Sequence, residues 1–164
     1  MATTMFEKIW DAHVVEQRPD GTALLYVDRH LIHDATAQAF DLLNDEGLSV
    51  RRPDLTFGMA DHYVATHSDP LREPHLDAMV TTLSSNAAQH GITSFGMHHA
   101  YQGIVHVAGP ELGLTQPGML MVCGDSHTST HGYGGSSVWH RCIGSRPRAG
   151  YAMPLAKKTT QHAH

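Results

Sequence analysis

The chain has 164 residues, 41% hydrophobic and 16% charged, with a formal net charge of −5 and fifteen histidines. That is one domain's worth of sequence, enough to bury a core, and no apolar run reaches the length of a membrane-spanning helix. The start, Met1-Ala-Thr-Thr-Met-Phe-Glu-Lys-Ile-Trp10, lacks a basic segment followed by an apolar one, and Cys123 and Cys142 make no disulfide framework, so a reduced cytoplasm is the expectation.

Taken in order, Phe6, Ile9, Trp10 and Val14 recur at helical spacing. Arg18-Pro-Asp-Gly21 reads as a turn, and Ala23-Leu-Leu-Tyr-Val27 as a strand ending in Asp28-Arg29-His30. A helix is expected from His33-Asp34, with Ala37, Phe40, Leu42 and Leu43 facing a core and Gly47 stopping it. Leu55 to Ala60 is a second strand, ending in Asp61-His62. A helix should run from Pro70 to His90, with Leu71, Leu76, Met79, Val80 and Leu83 apolar and Gly91 at its end. Ile92 to Phe95 and Gly103-Ile-Val-His-Val107 are expected as short strands, the latter carrying His106, before the loop Gly109-Pro-Glu-Leu-Gly113. Met119 to Cys123 is an apolar run suited to a buried strand, and Gly124 breaks it just before Asp125-Ser126-His127-Thr128.

Strands alternating with helices imply an α/β domain with a mostly parallel sheet covered by helices. Ligands in such sheets sit at the carboxyl ends of the strands, where Asp28/His30, Asp61/His62 and Asp125/His127 are expected, with His106 nearby. Carboxylates and imidazoles sharing one site suit proton abstraction and dehydration of a small acid, and would also suit a divalent metal. A structural alternative has Asp125 or Ser126 capping a following helix, with His127 and His131 exposed.

Several stretches together resemble the aconitase superfamily, most closely its 3-isopropylmalate dehydratase large subunits. They are Phe6-Glu-Lys-Ile-Trp-Asp-Ala-His-Val-Val15, Leu24-Leu-Tyr-Val-Asp-Arg-His-Leu-Ile-His33, Asp61-His62, Tyr101-Gln-Gly-Ile-Val-His-Val107, Gly109-Pro-Glu111 and Cys123-Gly-Asp-Ser-His-Thr-Ser-Thr-His-Gly132. The resemblance implies the N-terminal part of a three-layer α/β/α domain, incomplete here. It implies a hydro-lyase that moves a hydroxyl between adjacent carbons of a small dicarboxylate, in leucine biosynthesis, with a separate small subunit closing the site. Neither nucleic acid nor membrane is an expected partner. By resemblance, Asp61 and His62 assist hydroxyl departure, and His106, Asp125 and His127 are catalytic. Ser126 and His33 contact substrate. Hydratases of maleate, citraconate or dimethylmaleate share these motifs, and a non-enzymatic metal-binding module is the alternative from another class.

In the family a [4Fe-4S] cluster held by three cysteines serves as Lewis acid. Those cysteines lie beyond the matched region, so no metal ligand of the family's kind is expected in this chain, and the chain itself is expected to be inactive. Residues 1–132 carry all sixteen acids against six Lys/Arg, whereas residues 133–164 carry five Lys/Arg and no acid. A basic tail can be a nucleic-acid arm. The genetic code offers another account. Val138-Trp-His-Arg-Cys-Ile-Gly-Ser145, encoded GTT TGG CAT CGG TGC ATC GGA AGT, reads one nucleotide later as Phe-Gly-Ile-Gly-Ala-Ser-Glu, the family's continuation. Residues 1–132 are therefore expected to form the partial domain, and 133–164 to be an out-of-frame tail that adds no native element.

Overall fold

The computed structural model describes residues 3–64, 74–134, 137–140 and 155–157. Thr4 starts the first helix, α1 (Met5–His13), with a capping box: its hydroxyl accepts from the Glu7 amide while the Glu7 carboxylate accepts from the Thr4 amide. A hairpin follows, β1 (Val14–Gln17) and β2 (Thr22–Leu25), turning at Gly21 where φ is +82°. The expected strand 23–27 is thus two elements. The chain leaves the hairpin after Leu25 and starts a new strand, β3 (Arg29–His33), in a different sheet.

β3 is the centre of a parallel sheet with β4 (Thr56–Met59), β5 (Thr93–Phe95), β6 (Leu120–Cys123) and β7 (Ser137–His140), in the order β5-β4-β3-β6-β7. A 3₁₀ turn at Asp34–Thr36 leads into α2 (Ala37–Asp45), and α3 spans Pro74–His90. Residues 70–73, expected in that helix, lie outside the described residues. Both helices end in the same way. Gly47 and Gly91 take φ of +65° and +69°, and the amides that follow, Leu48 and Ile92, bond back to Leu43 and Ala87 carbonyls at 2.8 Å. This closes orphan carbonyls with a conformation glycine adopts without a Cβ penalty.

The alternation of β3 and β6 side chains builds the layers. Ile32 joins Phe40, Leu43, Val80, Leu83 and Ala87 of α2 and α3 on one face. Leu120 and Val122 meet Trp10, Ala23 and Leu25 in a second cluster. Leu31, Met59, Met121 and Cys123 pack on Val105 and Ala108 of α4 (Val105–Glu111). Leu42, expected to face the core, is exposed.

The stretch 103–107, expected as a strand, is the entry to α4. β-branched residues favour strands locally, but Asp61 Oδ2 accepts from the Val105 amide at 3.1 Å and so caps the helix from another element. Asp28 is also not where expected. It lies at the amino ends of β3 and β6, where its Oδ2 accepts from His13 Nε2 at 2.6 Å and from the Leu120 amide at 2.9 Å. His13 Nδ1 meets the Ile9 carbonyl at 2.6 Å, so this ring ties α1 to the sheet. Asp28→Ala is expected to cost about 2 kcal/mol by stranding a buried ring and an amide, measured by urea unfolding.

Among the described residues no helix is long and apolar enough to cross a membrane. In the tail, β7 pairs in parallel with β6, and β8 (Leu155–Lys157) pairs antiparallel with β2. Apart from the turn to Gly134, the rest of residues 133–164 lies outside the described residues.

Candidate active site

The chain runs outward from β3 to β4 and β5, then returns to the other side of β3 with β6. Loops leaving β3 and β6 therefore diverge, and a crevice opens at the carboxyl ends of those two strands. The loops carry His33-Asp34 after β3, Asp61-His62 after β4 and Gly124-Asp125 after β6.

Asp125, only 5% exposed, is where they converge. His62 Nε2–H donates to its Oδ2 at 2.8 Å, and His106 Nε2–H donates to its Oδ1 at 2.6 Å. The His127 amide adds a third bond, to Oδ1, at 2.6 Å. Burial pushes the carboxyl up, but the His127 amide, the His106 hydrogen bond and the charges of His106 and His62 outweigh it. The carboxyl is held well below the usual carboxylate range. Asp125 is thus an ionised anchor that aims two imidazoles.

Beside it, the rings of His33 and His62 stack with centroids 4.5 Å apart and planes 23° from parallel. His33 is 3% exposed. Its Nδ1 accepts from the Ala35 amide at 3.2 Å, so the hydrogen of the neutral ring is on Nε2, which is buried with no partner among the described residues. Gly124 lies beside that nitrogen: a Cβ there would stand 3.8 Å from it, in ordinary contact. Asp34 accepts from the His62 and Tyr63 amides at 3.2 and 2.8 Å and so shapes the loop that presents His62. Burial raises the Asp34 carboxyl, and the hydrogen bonds from these two amides help bring it below its ordinary value.

Ligand atoms of His33, Asp34 and His62 lie within 4.8 Å of one another, a spacing a metal ion can use. Against this, nearly parallel rings aim their in-plane lone pairs side by side, and Asp34 already accepts two amides. An iron–sulfur cluster is not fitted by the described residues. Cys123 points into the core with Leu31, Met59 and Val105, and burial pushes its thiol up to about 12. Thiolate ligation needs the opposite environment.

Behind the crevice, His106 Nδ1 lies 3.0 Å from His131 Nε2, and His131 Nδ1 lies 3.0 Å from Thr115 Oγ1. His131 is fully buried, contrary to the reading that leaves it exposed. Gly109 of α4 makes the room. A Cβ there would meet His131 Cε1 at 3.2 Å and both Leu31 Cδ1 and Thr115 Oγ1 at 3.3 Å. Gly109→Ala is expected to lower stability by roughly 1–3 kcal/mol, as overpacking does, detected as a lower urea midpoint.

Of the residues singled out in the sequence, His33, His62, His106 and Asp125 come together. Asp61 acts one step back: it caps α4, and its Oδ2 is 3.8 Å from His62 Nδ1, so His62 pairs with Asp125 instead. Ser126 and His127 sit at the rim; the His127 side chain is 79% exposed, and Ser126 Oγ meets its neighbour's Nδ1 at 3.1 Å. His30 lies inside β3 and Asp28 at the opposite end of the sheet, so the pair at the end of the central strand is His33/Asp34. Asp34, Thr115 and His131 were not anticipated. Adjacency to His33 could have flagged Asp34, but nothing local marks the other two.

The aconitase family (aconitate hydratase) matches residues 7–140, eight residues past Gly132. The 3-isopropylmalate dehydratase large subunits of two Thermus thermophilus strains are each 50% identical over 135 residues, covering 80% of this chain and 29% of theirs. That of Akkermansia muciniphila is 49% identical over the same shares. The chain thus spans about three tenths of the length of the curated relatives it matches. With a parallel α/β sheet, a polar crevice at its switch point and a family match over most of its length, the chain belongs to the aconitase family.

Proposed function

We propose that the chain is the N-terminal part of a hydro-lyase large subunit that converts 2-isopropylmalate to 3-isopropylmalate by dehydration and rehydration, in leucine biosynthesis. The observation that carries this is the convergence of His62 and His106 on one ionised carboxylate, Asp125, at the switch point of the sheet. Dehydration needs a proton delivered to a leaving hydroxyl and one removed from the adjacent carbon. His62 is the proton carrier of this part of the site, and His106, whose two ring nitrogens face Asp125 and His131, acts on it through the shared Asp125 carboxylate. The buried Nε2–H of His33, without a partner among the described residues, donates to a substrate oxygen, which would satisfy a group that is otherwise costly to bury. Ser126 and His127 line the approach.

The whole enzyme would add a small subunit as partner and a [4Fe-4S] cluster supplied by cysteines outside this chain. The 164-residue chain, without those thiolates, is inactive in this reading, and residues 133–164 are out-of-frame sequence. Resequencing the coding DNA from the Gly124 codon past His164 tests the tail: a restored frame should reach further cysteines. The restored large subunit, reconstituted with iron, sulfide and a small subunit, should turn over 2-isopropylmalate. His62→Ala should then lower kcat at least 100-fold, the loss typical of a positioned acid–base group. Turnover of maleate, citraconate or dimethylmaleate in its place would move the assignment to a related hydratase, and turnover by the 164-residue chain would refute its inactivity.

A second reading is favoured by the proximity of His33, Asp34 and His62: a metal-binding module. Stoichiometric, sub-micromolar zinc binding by the chain that is lost in His33→Ala would support it over the hydro-lyase.

A further inference from the structure

His131 does not face the crevice, yet both its nitrogens are engaged in a fully buried setting. Burial, and then the charge of His106, hold it down to about 4, so near neutral pH the ring carries one hydrogen. A neutral imidazole is one donor and one acceptor. Two arrangements then satisfy every partner in the chain of bonds from Thr115 to Asp125.

In the first, the Thr115 hydroxyl donates to His131 Nδ1, His131 Nε2–H donates to His106 Nδ1, and His106 Nε2–H donates to Asp125. His106 is neutral. In the second, His106 carries both hydrogens and donates Nδ1–H to His131 Nε2. His131 Nδ1–H then donates to Thr115 Oγ1, whose own hydrogen turns to Met121 Sδ, 3.5 Å away. Thr115 and His131 carry the same number of hydrogens in both; the single added proton is on His106. A neutral His106 with its hydrogen on Nδ1 fits neither, because a bare Nε2 would face the ionised Asp125 at 2.6 Å.

We propose that His131 is a positioning residue for His106. It keeps the hydrogen of neutral His106 on Nε2, toward Asp125, and changes tautomer when His106 takes up a proton, with Thr115 and Met121 absorbing the change behind it. The groups facing His106 agree with this division. Asp125 holds Nε2 and His131 holds Nδ1, while the exposed His127 ring stands 6.3 Å away by centroids. His62 meets the other oxygen of the same Asp125 carboxylate, and Asp61 accepts from the Val105 amide one residue before His106. The close approach at Gly109 holds the three parts together, since any side chain there would press on both His131 and Thr115. What His106 does with its proton rests on the hydro-lyase reading; the pairing of tautomer and charge does not.

The test is nitrogen NMR of the imidazole rings in the full 164-residue chain labelled with ¹⁵N-histidine, titrated between pH 5 and 8. His106→Gln and His131→Gln assign the two rings. The expected result is a neutral His131 with its hydrogen on Nε2 while His106 is neutral, moving to Nδ1 as His106 becomes charged. Thr115→Val removes the partner of His131 Nδ1 in both arrangements, so the Nδ1 resonance of His131 should shift in each state, and Thr115→Ser should restore it. A His131 hydrogen that stays on one nitrogen throughout would overturn the proposal, as would a neutral His106 protonated on Nδ1. No turnover is measured, so a failed dehydratase assay and a failed titration remain separate results.

Discussion

Asp125→Ala is expected to lower the unfolding free energy of the chain by about 3 kcal/mol at pH 7, read from urea denaturation. One carboxylate there holds His62, His106 and the His127 amide, and its loss strands two imidazole donors and a backbone donor in a largely buried site. Asp125→Asn keeps one acceptor oxygen but turns an amide NH₂ toward a ring nitrogen, so its cost should be smaller than that of alanine. The carboxyl is depressed in the folded chain relative to its ordinary value of 3.8. Its contribution is therefore complete above about pH 4 and is lost as pH falls below that, through the folded value. The difference between wild type and Asp125→Asn should accordingly shrink in acid. A gap that is the same at pH 7 and at the lowest pH where the chain still folds would show that the ionised carboxylate is not what stabilises the crevice.

The second large effect concerns His131 and falls in a different pH window. An unfolded histidine titrates near 6.5, whereas burial and the charge of His106 bring His131 to about 4 in the folded chain. Between those values the unfolded chain binds one more proton than the folded one, so stability falls as the pH is lowered through that window and is fully present above 6.5. Integrated over the interval, this single ring removes about 3 kcal/mol of stability by pH 4. His131→Gln cannot titrate, and its stability should be flatter between pH 7 and 4 than that of the wild type. A wild-type profile already flat over that range would mean that His131 is solvated or protonated in the folded chain.

Several parts of this molecule were legible from local pattern alone. Gly47 and Gly91 mark helix ends because a residue with positive φ is needed to close the last carbonyls, and that need is written in the identity of one residue. The run at 119–123 reads as a buried strand because a parallel strand covered on both faces is apolar throughout, and β6 is buried at every position. The loop Asp125-Ser126-His127 was placed at the end of that strand for the same reason. Where local preference was the only guide, the reading failed. Residues 23–27 look like one strand running into the polar end Asp28-Arg29-His30, but these residues divide between a hairpin and the central strand of another sheet. Residues 103–107 look like a strand from their β-branched members, and a carboxylate from 44 residues earlier makes them the start of a helix.

The sequence by itself determined the class of the fold, the order of most elements and the strand-end pairs at Asp61-His62 and Asp125-His127, while His33 was named by the family resemblance alone. It did so because hydrophobic period, turn chemistry and strand-end polarity are properties of neighbouring residues. Only the tertiary structure decided which partner each of them takes: His62 with Asp125 instead of the adjacent Asp61, Asp28 with His13 at the far end of the sheet, and His131 buried behind His106. Those choices depend on distances between elements far apart in the chain. Desolvation then sets the charge and tautomer of each ring, and desolvation exists only once the layers have closed over them.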